Sequence, residues 1–212
     1  EKFLGDEAIS QDELEAALKA SVLSCKLVPI FTGSAIQNIG VTLLMEAIKH
    51  YLPSPKERQY EVVTDDKGTL KKVTASATDP LEALVFKTSA DPFVGKLTYF
   101  RVYAGSFASN SQVWNSNRNE IERIGQVYLI RGKTEEAVHA VNSGDIGVVA
   151  KLNTTGTGDT LTTKEKPVKL APIIFPIPIY KGAVSPKTKA DLYKLGSSLT
   201  RMAEDDPTIR VH

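Results

Sequence analysis

The 212-residue chain is poor in the residues that carry metal, redox and covalent chemistry: it has one cysteine and three histidines. Cys25 has no partner for an internal disulfide and cannot build a zinc site, which fits a reducing compartment; a small buried thiol in a packed strand is expected. His50, His139 and His212 stand at no ligand spacing, so no metal site is expected. Neither sign of charge is in excess. Lys and Arg number 26 against 25 Asp and Glu, net +1, which excludes a polycation holding nucleic acid by charge alone and leaves only local contacts. No apolar run reaches membrane-spanning length, and the N-terminus has neither a basic n-region nor an apolar h-region, so a cytoplasmic location and no membrane partner are expected. A phosphate-cradling GxxxxGK[ST] loop and a GxSxG elbow are both missing, and no catalytic residue is assigned. The start at Glu1 rather than methionine, and the stop just after Arg210-Val211-His212, are what a piece of a longer protein would have.

What is present is an ordinary globular composition, 42% apolar and 24% charged, enough for one large or two smaller domains. Its centre is the stretch from Asp79 to Phe107. Two apolar strands, Leu81 to Lys87 and Lys96 to Tyr103, flank Ser89-Ala90-Asp91-Pro92-Phe93, and Gly105 supplies the turn that ends the second. Alternation puts Thr98, Phe100 and Val102 on one face and Leu97, Tyr99, Arg101 and Tyr103 on the other. Both faces are largely apolar, which predicts a barrel strand whose outer side is covered by a neighbouring module. Further strands are expected at Gln112 to Asn115, at Ile121 to Ile130 as one long strand, at Glu135 to Val141 and at Ile146 to Leu152. Turns at Ser116 to Asn119 and Asn142-Ser143-Gly144-Asp145 separate them, as in an all-β barrel.

Upstream, Ser10 and Glu13 have capping-box spacing ahead of Leu14, Leu18 and Val22, which predicts a helix. An apolar strand, Lys26 to Phe31, then leads through Thr32-Gly33-Ser34-Ala35 into a second helix with the stripe Val41, Leu44, Met45 and Ile48, ending before Pro53-Ser54-Pro55. Residues 56–78 are polar and read as a weakly ordered linker with a possible hairpin, Tyr60 to Thr64 and Thr69 to Thr74, about Asp65-Asp66-Lys67-Gly68. Downstream of the barrel come a proline-punctuated stretch, a strand from Ile179 to Val184, a helix with Leu192, Leu195, Leu199 and Met202 on one face, and a strand starting at Thr208. Thr188-Lys189-Ala190-Asp191 mimics a guanine-specifying NKxD element but follows the Gly-Ser-Ala loop instead of preceding it, so it is read as a coincidence.

ADPFVGKLTYFRVYAGSF resembles the opening of the second-domain barrel of bacterial elongation factor G, the GTPase that drives translocation on the ribosome, and NSGDIGVVAKL and TTGTGDTL resemble its closing strands. PIFTGSAIQNIGVTLLMEAIKHYLPSP is similar to the last strand and helix of that family's GTPase domain, and SPKTKADLYKLGSSLTRMAEDDPTIRV to the start of its third domain. The resemblance runs over essentially the whole chain in family order. It implies a multi-domain α/β plus all-β architecture: the end of a Rossmann-like GTPase domain at 1–55, the linker at 56–78, a translation-factor β-barrel at 79–165 and a partial ferredoxin-like α/β sandwich at 166–212. It further implies that Gly33, Ser34 and Ala35 form the loop that reads guanine, with GTP or GDP and Mg in the intact protein and none bound to this chain. The partner it implies is the ribosome, through small-subunit rRNA and protein, with the chain itself a monomer. Candidate rRNA contacts are Arg131 and Lys133 about Gly132, then Lys187 and Lys189. Arg131-Gly132-Lys133 replaces a longer polar loop of the family, a departure that leaves room for a paralogue. Lacking a phosphate loop, the chain by itself is expected not to hydrolyse GTP. Ribosome-protection and release-factor relatives, or a stand-alone barrel that binds RNA or protein, are the competing readings; the Gly-Ser-Ala loop and helix speak against the last.

Overall fold

The computed structural model describes residues 2, 5, 7–57, 59–63, 69–91 and 94–211, in two compact units, Glu1–Ser54 and Pro55–His212. Their described part is mostly antiparallel β-sheet with few helices, none long and apolar enough to cross a membrane.

In the first unit, α1 (Gln11–Leu23) starts on the expected capping box: the Ser10 hydroxyl accepts the Glu13 N–H at 3.3 Å, and the Glu13 carboxylate accepts the Ser10 N–H at 3.2 Å. Cys25 is not the buried strand thiol expected. It is exposed, in the left-handed region at φ 57°, and its N–H goes to the Val22 carbonyl as the chain turns off the helix. The expected strand over 26–31 does not form either. Val28 and Ile30 are exposed, and the one bridge nearby joins Ser34 to Ile39, because no described strand lies alongside to take the backbone groups. α2 (Val41–Tyr51) follows, with Ala47 buried but Leu44, Met45 and Ile48 of its apolar stripe exposed. The expected α-β-α piece is therefore two helices joined by an extended loop.

In the second unit, β1 (Gln59–Val63) and β2 (Leu70–Thr74) form the antiparallel hairpin, and its turn at Asp65-Asp66-Lys67-Gly68 lies outside the described residues. The hairpin is more than a linker. A short strand from far downstream, β13 (Lys169–Leu170), pairs with β1, and Val62, Leu84 and Leu170 bury together with Val73, Tyr103 and Val168 against them. This small sheet covers part of the outer face of the barrel, so some of the cover that the two-faced apolar strand calls for is found within the chain.

Then come β3 (Glu82–Asp91), β4 (Gly95–Ala104), β5 (Ser106–Ala108), β6 (Gln112–Asn115), β7 (Glu120–Arg123), β8 (Val127–Arg131), β9 (Thr134–Val138), β10 (Ala140–Asn142), β11 (Ile146–Ala150) and β12 (Thr160–Thr162). Eight of them pair in the order β7-β6-β12-β3-β4-β11-β8-β9, and β5 pairs with β10. Pro92 and Phe93, at the tip between β3 and β4, lie outside the described residues. Register shifts between Glu82 and Ala83 and between Val85 and Lys87 bulge the β3–β4 ladder, and bulges sharpen the twist that lets a sheet curl round its core. That core joins Ala83, Val85, Phe100, Val102, Phe107 and Leu161, with the Phe100 and Phe107 rings stacked at 4.0 Å. Gly105 is required where it stands: φ is +72°, and a Cβ would meet the Asp79 carbonyl oxygen at 2.7 Å.

The expected long strand over 121–130 is two strands. The chain breaks at Ile124-Gly125-Gln126, where Ile124 donates to the Ser111 carbonyl and Gly125 accepts from Asn110, so β7 pairs with β6 while β8 crosses to β11. Likewise 135–141 divides at His139, whose carbonyl takes the Ser109 N–H. Beyond β13, residues 171–187 hold no helix or strand, and Ile174, Ile179 and Tyr180 are exposed, so the strand expected at 179–184 is absent for want of a pairing neighbour. The strand expected from Thr208 is absent too: 208–211 leave α3 (Lys189–Asp205) as turn and coil, the Ile209 N–H bonded to Asp206. His212 lies outside the described residues.

Candidate functional site

The loop ahead of α2 is folded tightly on itself. Ser34 and Ile39 exchange backbone hydrogen bonds at 3.0 and 2.9 Å, and the Ser34 hydroxyl accepts the Gln37 N–H at 3.3 Å. A Cβ on Gly33 would stand 2.6 Å from the Ile39 oxygen, and Gly40, at φ +76°, would collide with the Thr32 carbonyl, so both ends of the loop need glycine. The Ser34 N–H is engaged internally by Ile39, and Ala35 is exposed. Beside them lies a cleft of about 500 Å³ lined by Ile30, Phe31, Gly33, Ser34, Ala35 and Leu44 among others.

The candidate cations lie on separate elements. Arg131 and Lys133 sit at the tip of the β8–β9 hairpin, where Arg131 pairs with Thr134 and Gly132 takes φ +63°. Lys133 is exposed; Arg131 is exposed too, but its guanidinium lies 3.7 Å from the Glu136 carboxylate, which offsets part of its charge. Lys187 precedes α3 and Lys189 opens it, both exposed.

A third constellation joins the loops at one end of the barrel. Glu122 of β7, 4% exposed, accepts backbone and hydroxyl hydrogens from both Thr154 and Thr155 at 2.8 to 3.0 Å. Burial pushes the Glu122 carboxyl up, and these donors outweigh it, holding the group below the usual carboxylate range. Next to it, buried Asn115 donates to Thr155 and to Asp159, and Asp159 also accepts from Arg118 and from the Gly156 N–H. From the same loop, Thr157 Oγ1 accepts the Thr88 N–H and lies 3.0 Å from Thr88 Oγ1, which donates to the Glu204 carbonyl at 2.5 Å; Ala90 N–H donates to Asp205 at 2.7 Å. These bonds pin the C-terminal end of α3 to β3.

Comparison with known families decides the parentage. Residues 80–164 match the model of elongation factor G domain 2, and residues 175–212 match that of elongation factor G, domain III; together they span more than half of the chain. The chain belongs to the elongation factor G family. It is also similar to a crystal structure of a protein from Thermus thermophilus, at 29% identity over 100% of this chain and a TM-score of 0.76, while spanning 29% of that protein's length. As a family member it carries the domain 2 barrel and a domain III stretch in which Thr188-Lys189-Ala190-Asp191 is a helix cap. Thr188 accepts the Asp191 N–H and donates to its carboxylate, which closes the first turn of α3. The loop network around Glu122 and Asp159 was not read from the sequence. Its one visible signal is the threonine-rich TTGTGDTL, which also resembles the family's closing strand.

Proposed function

We propose that the chain is the part of a ribosome-dependent translational GTPase that carries, in sequence order, the end of the nucleotide domain, the docking barrel and the start of the third domain, and that the intact protein promotes movement of tRNA and mRNA through the ribosome. The observation that carries this reading is the order of parts: a Gly-Ser-Ala loop and helix, then the domain 2 match, then the domain III match. Support for Gly33, Ser34 and Ala35 as the guanine loop is that they lie on a tight loop ahead of α2 and line a cleft. They supply nothing for the phosphates or Mg, for which this chain has no phosphate loop. In the intact protein the loop orients the base; electrostatic stabilisation of the transferring phosphoryl group must come from other residues, so this chain alone turns over no GTP. Arg131 and Lys133, with Lys187 and Lys189, supply the local cations for rRNA phosphate.

Co-sedimentation with isolated ribosomal subunits tests the reading. Binding to the small subunit at low salt is expected, falling steeply as salt rises, and weakening when Arg131 and Lys133 are both changed to Ala in a chain that stays folded by circular dichroism. Failure to pellet with small subunits at the lowest salt overturns it.

A further inference from the structure

We propose that the loop over residues 153–159 is a latch that holds α3 on the barrel through Thr157, and that Glu122 and Asp159 are the positioning residues that set it. Between β11 and β12 the loop has no helix or strand of its own, so its shape depends on the groups that reach it. Its first half hangs on one carboxylate: Glu122 Oε1 accepts the N–H and the hydroxyl of both Thr154 and Thr155 at 2.8 to 3.0 Å. Its second half hangs on another. Asp159 Oδ2 accepts the Gly156 N–H at 2.9 Å and is itself held by Asn115 at 3.0 Å and Arg118 at 3.2 Å. Both carboxylates are buried, 4% and 5% exposed, so water competes little for these bonds. Asn115 ties the halves together by also donating to Thr155 Oγ1, and the backbone completes the grip where β3 bulges, Gly158 donating to the Val85 carbonyl at 2.7 Å.

Thr157 stands between the two grips, and proton counting shows what it does. Thr88 has one hydroxyl proton and gives it to the Glu204 carbonyl of α3, so in the 3.0 Å contact between the two hydroxyls Thr157 must be the donor. The chain of bonds therefore runs one way: Thr88 N–H to Thr157 Oγ1, Thr157 O–H to Thr88 Oγ1, Thr88 O–H to Glu204. Each bond in such a chain polarises the next, and Thr88 is 2% exposed, so no bulk water replaces a missing member. The Thr88 and Ala90 N–H groups lie two residues apart and point to the same side of β3, one to the loop and the other to Asp205 of α3. Loop and helix thus share one edge of the strand. Loosening either carboxylate grip shifts Thr157, breaks the one-way chain and releases the helix end while the barrel stays folded. This inference is independent of the ribosomal reading.

The test is hydrogen exchange of the whole chain, read amide by amide by NMR. The Ala90 N–H, bonded to Asp205, reports helix docking, and the Val102 N–H, bonded to the Asp145 carbonyl, reports the barrel. Thr157→Val should speed Ala90 exchange about fivefold, the scale of one lost hydrogen bond, and leave Val102 unchanged. Glu122→Ala should speed Ala90 by a similar factor although the Glu122 carboxylate is bonded to the loop and not to the helix. Asp159→Ala makes the same test from the other grip if that variant does not fold. Glu122→Gln, which still offers one neutral oxygen to the four donors, should recover most of the original rate. In a Thr157→Val background, Glu122→Ala should add nothing at Ala90 while still lowering the unfolding midpoint in denaturant. A purely structural Glu122 gives a lower midpoint with Ala90 exchange unchanged in the single variant, and that result overturns the proposal. So does Ala90 exchange unaltered by Thr157→Val, or two effects at Ala90 that simply multiply.

Discussion

The barrel strands and the stretches that flank the barrel carry the same kind of apolar sequence and come to opposite ends. Phe100 and Val102 are fully buried on β4, which has β3 on one side and β11 on the other. Val28 and Ile30 before the barrel, and Ile177, Ile179 and Val184 after it, stand exposed on backbone that pairs with no described strand. An apolar β-branched run makes a segment competent to be a strand; a neighbour to take its N–H and C=O groups makes it one. The outer face of β4 lies between these cases, covered in part by the small β1-β2-β13 sheet.

The contrast breaks first at Phe100. Phe100→Ala should cost about 4 kcal/mol by denaturant unfolding, since it removes a buried, stacked ring, whereas Ile179→Ala should stay within about 0.5 kcal/mol; equal losses would abolish the distinction. Limited proteolysis should agree, cutting within 26–31 or 171–187 and leaving the barrel as the resistant product. Smaller is the effect of Glu122→Ala, about 2 kcal/mol, because two N–H and two O–H donors lose their acceptor.

The same group has a pH signature. Because the folded Glu122 carboxyl is held below its usual range, its contribution is complete above the ordinary carboxylate value and is lost as the pH falls through the folded value. Glu82 works in the opposite sense: its carboxyl, raised by burial, costs stability as the pH climbs from the ordinary value through the folded one. Glu82→Gln should therefore stabilise the chain at neutral pH and change nothing in acid, and a variant less stable at neutral pH would reverse this sign. Smaller than the loss at Glu122 is that of Thr88→Val, about 1 kcal/mol, appearing as faster hydrogen exchange in α3 with the barrel amides unchanged.

How legible each part was in the sequence follows from how local its cause is. The capping box of α1, the hairpins, and the alternation of Thr98, Phe100 and Val102 are set by residues a few positions apart, and they were readable. The break at Gly125 was not, because it depends on Asn110 and Ser111 reaching across from another strand. Nor was the pairing of β13 with β1, which joins residues more than a hundred positions apart. For the candidate loop, Gly33, Ser34 and Ala35 are named only through the family resemblance, and the Ser34–Ile39 exchange that closes the loop has no signal of its own in the sequence. The Glu122 network draws on strands and loops some thirty positions apart, and only its threonines left a trace.

Among the described residues, the hydrogen bonds from α3 to the sheet lie at its C-terminal end. Its last turn is bonded to β3 through Thr88 and Ala90, while its first turn continues from the unpaired residues 171–187. At 1.5 Å per residue its 17 residues span about 25 Å, so a rotation of about 10° about the pinned end carries the far end through about 4 Å. Lys189, and Lys187 just ahead of it, stand at the end of α3 away from Thr88 and Ala90, so any rotation of the helix about those bonds would move them farther than it moves the bonded end.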